Sequence, residues 1–143
     1  MRAVVSRVGT AAVTVDGAVV GEIGPGLLAL VGVGRQDDER AAVALAGKIH
    51  ELRIFATENG ARSASDLGLP VLVVSQFTLY ADTRKGRRPS WDGAASADVA
   101  EPLVDAVVAE LRAHGCTVAT GVFGARMQVS SVNEGPMTLL LET

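Results

Sequence analysis

Among the hydroxyl and thiol side chains of this chain, Ser75, Thr78 and Cys116 are the candidate nucleophiles toward an ester or amide, and none stands where that chemistry usually needs it. Ser75 and Thr78 share the segment Ser75-Gln76-Phe77-Thr78-Leu79-Tyr80, which follows an apolar run, and Cys116 follows a Gly. A serine or cysteine esterase pairs its nucleophile with a histidine base. His50 and His114 both fall in the last turns of predicted helices, where capping or solvent contact is the ordinary role. Ser75 lacks the Gly-x-Ser-x-Gly frame of a nucleophile elbow. Cys116, after a helix-ending Gly, reads as a small buried residue. In a strand, residues i and i+2 face the same side, so Gln76 and Thr78 should point together. With no base beside it, Thr78 is a positioning hydrogen-bond group.

A second pattern needs no side-chain chemistry. Gly135-Pro136 separates two strand-like apolar runs, Met127 to Val132 and Met137 to Leu141. Proline has no N–H for a ladder, so Pro136 belongs at an edge, a bulge or a turn. A Gly-Pro bond can be cis at modest cost. Such a pair can hold two carbonyls in a fixed mutual orientation and so recognise a ligand through backbone alone. A hairpin turn is the plainer role for a lone Gly-Pro. A third pattern is the cluster Arg84, Lys85, Arg87 and Arg88, which holds four of the 13 basic residues. A charge run is usually solvated surface. On a body of net charge −3, one dense basic loop close to Gln76-Phe77-Thr78 fits a local phosphate contact better than wrapping of a long duplex.

Five segments in order carry a family likeness: Ser6-Arg7-Val8, Ser75 to Tyr80, Ala81 to Ser90, Gly121 to Met127, and Asn133 to Thr143. Together they resemble the D-aminoacyl-tRNA deacylases, small enzymes that hydrolyse D-amino acids from mischarged tRNA. The resemblance implies catalysis without a protein nucleophile. The 2′-hydroxyl of the terminal adenosine would help to activate water, while backbone N–H groups around Gln76, Phe77 and Thr78, after Ser75, stabilise the oxyanion. It implies that Gly135-Pro136 is cis and reaches into a partner subunit's pocket, with Arg7 holding its carbonyls from behind. L side chains would clash with those carbonyls, D side chains would go largely unread, and glycyl esters would also escape. Without the resemblance Arg7 is an exposed strand arginine. Phe123, Gly124, Ala125 and Met127 are implied to line the terminal-adenosine pocket, although ordinary core is as good a role for Phe123 and Met127. The implied fold is three-layered, with mixed β-sheets, two main helices and a barrel completed across a homodimer. Arg126 stands where the family more often has an acidic or smaller residue, Met137 stands for the usual Val, and the segment 55–70 lacks a usual Met-Asn pair.

The elements that must position these groups are legible as alternations and stripes. Residues 2–8 alternate as a strand that Gly9-Thr10 breaks, and Ala12 to Val15, Asp16-Gly17 and Ala18 to Ile23 read as a hairpin. Leu27 to Val33 is a buried strand. A helix follows from about Asp38 to Arg53, with Asp37 as its cap and Ala41, Leu45, Ile49 and Leu52 as its stripe. Thr57 to Leu69 reads as loop, and Val71 to Val74 as a strand buried on both faces. A second helix runs from about Ala97 to Ala113, capped by Ser96, striped by Val99, Leu103, Val107 and Leu111, and ended by Gly115. Strands at 117–122, 127–132 and 137–141 close a single α/β domain over residues 1–143. The 48% hydrophobic content excludes a disordered tail, and no apolar run reaches membrane-span length. The N-terminus lacks the form of a signal peptide, and the single cysteine suits a reducing cytoplasm. No Cys/His cluster has metal-ligand spacing, so neither metal nor cofactor is expected. The expected partners are the acceptor end of D-aminoacyl-tRNA and a second copy of the chain, with no membrane. An RNA-binding module using Arg84 to Arg88, with Gly-Pro as a mere turn, is the rival reading.

Overall fold

The computed structural model describes residues 1–84 and 86–143, so Lys85 of the basic loop lies outside the described residues. Among the described residues the strands are β1 (Arg2–Val15), β2 (Ala18–Ile23), β3 (Gly26–Gly32), β4 (Phe55–Thr57), β5 (Gly60–Arg62), β6 (Val71–Ser75), β7 (Val118–Thr120) and β8 (Met127–Glu142). The helices are α1 (Glu39–Glu51), the single turn α2 (Ala64–Leu67) and α3 (Ala97–Ala113), and a 3-10 turn spans Phe77–Tyr80. The α/β class and the two long helices match the sequence reading.

The main sheet is mixed, in the order β2-β1-β3-β6-β7, with β8 on the other side of β1. β1 is antiparallel to β2, β3 and β8, whereas β3–β6 and β6–β7 are parallel. Strand twist curls the sheet until β7 approaches β2 and nearly closes a barrel. Gly21 is required at that approach, because a Cβ there would fall 2.3 Å from the Thr120 carbonyl oxygen. Alternation along β3 and β6 then divides the interior in two. Leu27, Ala29, Val31, Val71 and Val73 pack under Leu45 and Ile49 of α1 and Val107 and Leu111 of α3. Leu28, Leu72 and Val74 face the other way and join Val8, Val13 and Ile23 inside the curl. All four residues Val71 to Val74 are buried, as expected for a strand covered on both faces. β6 is therefore fixed from both sides, and Gln76 and Phe77 follow at its C-terminal end.

Several local expectations change. Gly9-Thr10 does not break the first strand, because the long β8 pairs along β1 on both sides of the Gly. The presumed loop 57–69 contains β5, which pairs with β4 as a hairpin, and α2, whose Ser63 and Asp66 form a capping box. The cap of α1 is Asp38, which accepts from Ala41 N at 3.0 Å, and not Asp37. Asp37 instead accepts from the Met1 ammonium at 2.7 Å, Gly34 N at 2.6 Å and the Tyr80 hydroxyl at 3.1 Å. Ser96 occupies the N-cap of α3, but its side chain caps no backbone N–H. The buried stripe of α1 adds Ala42 and Ala46, while Ala41 and Leu52 are only partly covered. That of α3 centres on Ala100, Val104, Val107, Val108 and Leu111, which leaves Val99 41% exposed. His50 is buried, with its ring 5.3 Å from that of His114, which also meets Glu110 at 3.0 Å.

Candidate active site

Two separate constructions hold the residues singled out by sequence. The first begins where β6 ends. Gln76 N donates to Val31 O at 2.7 Å, which ties the chain to β3 as it leaves the sheet. Residues 76–78 are not strand: the chain turns at once into the 3-10 helix Phe77–Tyr80. Gln76 and Thr78 nonetheless meet, because the tight turn brings Gln76 Nε2 to donate to Thr78 Oγ1. Gln76 O accepts from Leu79 N at 3.2 Å, and Thr78 O accepts from Ala81 N at 3.0 Å. The first N–H groups of a helical turn have no intrahelical acceptor. Accordingly, Phe77 N and Thr78 N make no hydrogen bond among the described residues. Gln76 N is already occupied, so the donors free to meet a ligand anion are those of Phe77 and Thr78.

A pocket of about 280 Å³ opens beside this turn, lined by Ser75, Gln76, Phe77, Phe123, Gly124 and the apolar side chains of Val31 and Val104. It thus joins two sequence segments that lie far apart in the chain. Gly124, at φ +72°, permits the sharp turn that follows Phe123. Met127 separates from this group, because it packs against the second core cluster inside the curled sheet. Ala125 makes a turn bond to Val122 O at 3.2 Å and does not line the pocket.

The second construction is a bulge in β8. Ser6 pairs with Thr138 and Val8 with Asn133, so Glu134, Gly135, Pro136 and Met137 stand opposite the single residue Arg7. The Gly135-Pro136 bond is cis. Proline fits here because the bulge lies outside the regular ladder. Arg7 spreads its guanidinium across the gap: Nε donates to Glu134 O at 3.2 Å and Nη2 to Gly135 O at 3.4 Å, while Nη1 donates to Ile54 O. A planar fork can serve three carbonyls in this way, where an ammonium could not. Asn133 closes the base of the bulge, with Nδ2 donating to Arg7 O at 2.9 Å and to Met137 O at 3.3 Å. Sequence reasoning missed Asn133, and its only signal was the general habit of Asn side chains to bond nearby backbone. Within one chain the bulge does not line the Gln76–Phe123 pocket.

The basic loop is less uniformly cationic than its sequence. Arg84 Nη2 donates to Asp82 Oδ2 at 2.7 Å and Nε to Oδ1 at 3.0 Å. That hydrogen-bonded pair holds the Asp82 carboxyl down at about 2 and pushes the Arg84 guanidinium up. Arg87 and Arg88 are exposed. Behind the loop, Tyr80 is pushed up to about 12 by burial and by the negative charge of Asp37, while the Arg2 guanidinium sits 4.6 Å from its ring centroid. Burial also pushes the Cys116 thiol up, which suits an inert residue.

The sequence and the fold match a known group of proteins. The family model D-Tyr-tRNA(Tyr) deacylase matches residues 4–142. The chain belongs to this family. D-aminoacyl-tRNA deacylases from Thermobifida fusca and Nocardia farcinica are 64% and 63% identical to it; the first alignment covers 99% of each chain and the second 100%. The homologous protein of Streptomyces coelicolor is 59% identical over 99% of both chains. Among solved structures, a c-Myc DNA unwinding element binding protein superposes with a TM-score of 0.93 at 36% identity, covering 100% of this chain and 99% of that one. A probable eukaryotic D-amino acid tRNA deacylase gives a TM-score of 0.86 at 17% identity over 99% and 98%, a likeness of fold. No helix among the described residues of this family member is long and apolar enough to cross a membrane.

Proposed function

We propose that this chain is an editing hydrolase that cleaves the ester of D-aminoacyl-tRNA, releasing the free D-amino acid and tRNA. The family match and full-length relatives that bear this name support the activity. The observation that carries its selectivity is the Arg7 fork, which turns the carbonyls of Glu134 and Gly135 into a held pair. In this reading the terminal adenosine enters the pocket between Gln76–Phe77 and Phe123–Gly124. The ester carbonyl then lies over the free N–H groups of Phe77 and Thr78, which are aimed at the charge that develops when water attacks. The adenosine's own 2′-hydroxyl helps to activate that water, so no protein nucleophile is consumed and Thr78 serves to position Gln76.

The bulge reaches the reacting centre from a second subunit. Support for a homodimer comes from β8 itself, where Val129, Val132, Leu139 and Leu140 are exposed along one strand. Exposed apolar side chains on both faces of a strand paired on one side only offer an interface. Carbonyls presented across it accept from the substrate's α-amino group and occupy the space an L side chain needs. D-esters and glycyl esters avoid that clash, so both are substrates. Arg87 and Arg88 meet phosphates of the acceptor end, and the reaction belongs to the cytoplasm, where charged tRNA is found.

The test is deacylation of D-tyrosyl-, L-tyrosyl- and glycyl-tRNA by purified protein. Turnover of the D and glycyl esters with the L ester intact is the expected result. Binding of all three with no turnover would end this reading and leave an RNA-binding module.

A further inference from the structure

We infer that a second hollow, on the far side of Phe77, is a nucleobase subsite for the residue preceding the terminal adenosine. The inference rests on the Gln76–Phe123 pocket being the adenosine site. The hollow measures about 570 Å³ and is lined by Arg35, Phe77, Trp91, Ala95, Ser96 and Val99. Phe77 is 57% exposed and Trp91 42%, although both are large aromatics in a protein with 3% aromatic residues. Their ring centroids lie 5.8 Å apart at 61°, an edge-to-face pair that covers at most one face of one ring, and both side chains remain substantially exposed to a planar ligand. Base–aromatic stacking accepts any base, because every base has a π-face.

Two further observations select a nucleotide over an apolar partner. Arg35 is exposed and its guanidinium has no hydrogen-bond or ion-pair partner among the described residues, while its backbone N–H is tied to Gly93 O at 3.2 Å. The loop is thus anchored and presents a free cation, the complement of a bridging phosphate. The hollow also shares Phe77 and Ala95 with the adenosine pocket, so the two are contiguous. Successive nucleotides of one strand can fill them, with Phe77 as the wall between. Trp91 is therefore a substrate-binding residue outside the catalytic turn.

Trp91 is the single tryptophan of the chain, so its fluorescence reports this hollow alone. Two non-hydrolysable probes are compared: 3′-deoxy-3′-(D-alanylamido)adenosine, and the same compound extended at its 5′ end by one cytidylyl residue. The extended probe should bind roughly tenfold more tightly, the scale of one stacked base. It should quench Trp91 emission where the short probe does not. Trp91→Ala should abolish the tenfold difference, and Trp91→Phe, which keeps a stacking ring, should retain most of it. Equal binding of both probes without quenching would overturn the subsite and leave the adenosine site standing. Failure of the short probe and the extended probe alike to bind by calorimetry would overturn the adenosine reading and this inference with it. Trp91 emission that shifts with protein concentration alone would assign the hollow to contact between copies, against the proposal.

Discussion

Replacing Arg7 tests the proposed selectivity device, the held carbonyl pair. Three bonds leave with the guanidinium: to Glu134 O at 3.2 Å, to Gly135 O at 3.4 Å, and to Ile54 O. Hydrogen bonds from a charged donor contribute about 1.5–3 kcal/mol at good geometry, and ordinary ones about 0.5–1.5. The first two are long and exposed, so roughly 0.5–1 kcal/mol each is appropriate, with about 1.5 for the partly buried bond to Ile54. Arg7→Ala thus withdraws about 3 kcal/mol of positioning, or roughly 100-fold in an equilibrium constant. Asn133 still closes the base of the bulge, so the fold should survive while the carbonyls lose their orientation. The expected result is a fall of up to about 100-fold in kcat/KM for a D-tyrosyl ester, together with measurable cleavage of the L ester. Arg7→Lys keeps the charge without the fork and should fall between the wild type and Arg7→Ala. Deacylation rates on matched tRNAs, with urea midpoints as a folding control, read this out. A D-ester rate within threefold of wild type with L esters still refused would refute the reasoning.

Thr78→Ala should keep substantial deacylation, because the hydroxyl accepts from Gln76 Nε2 and has no base beside it; an acyl-Thr78 adduct in a mass spectrum would show otherwise. Neutralising Arg87 and Arg88 should lower the log–log salt slope of tRNA binding by roughly 0.7–0.9 per lost phosphate contact, leaving D/L selectivity intact. Neutralising Arg84, already paired with Asp82, should lower it less, and equal slopes would contradict that ranking. Tyr80 lies at about 12 in the folded chain, raised first by burial and then by Asp37, against an ordinary 10.0. A raised acid favours the folded state only while protonated, so its contribution is complete below about pH 10 and drains away as pH rises to about 12. The urea-midpoint difference between wild type and Tyr80→Phe should therefore shrink over that window, and a constant difference would remove the Tyr80–Asp37 contact from the stability of this region.

Local pattern carried much of the fold. Asp16 and Gly17 take positive φ of 50° and 82° in the two-residue hairpin that Asp-Gly forecast, since that turn demands left-handed angles and little else. The wholly apolar Val71–Val74 marked an interior strand because both its faces are covered. The stripes of α1 and α3 were legible to within a residue or two, and the shift has a local cause: the first turn of α3 borders the hollow beside Trp91, so Val99 stays in the open. The segment around Gln76-Phe77-Thr78 was legible as a candidate site, but its conformation was not. A strand and a 3-10 turn both bring residues 76 and 78 together, and only the tertiary fold shows that pairing with β3 stops at Gln76 N, after which Gln76 O takes the turn bond from Leu79 N.

What sequence by itself determined, then, is which residues have chemistry to offer: a Gly-Pro that cannot join a regular ladder, the polar Gln76 and Thr78 after a buried strand, a cluster of cations. Their partners were decided by tertiary structure, because each contact joins residues remote in sequence. Arg7 and Gly135 meet only through the β1–β8 register, and the bulge exists only because one residue of β1 faces four of β8. Phe123 and Met127 were indistinguishable as members of one motif. Packing separated them by sending one side chain to the pocket and the other into the curled sheet, since on a short irregular segment no periodicity says which face is inside.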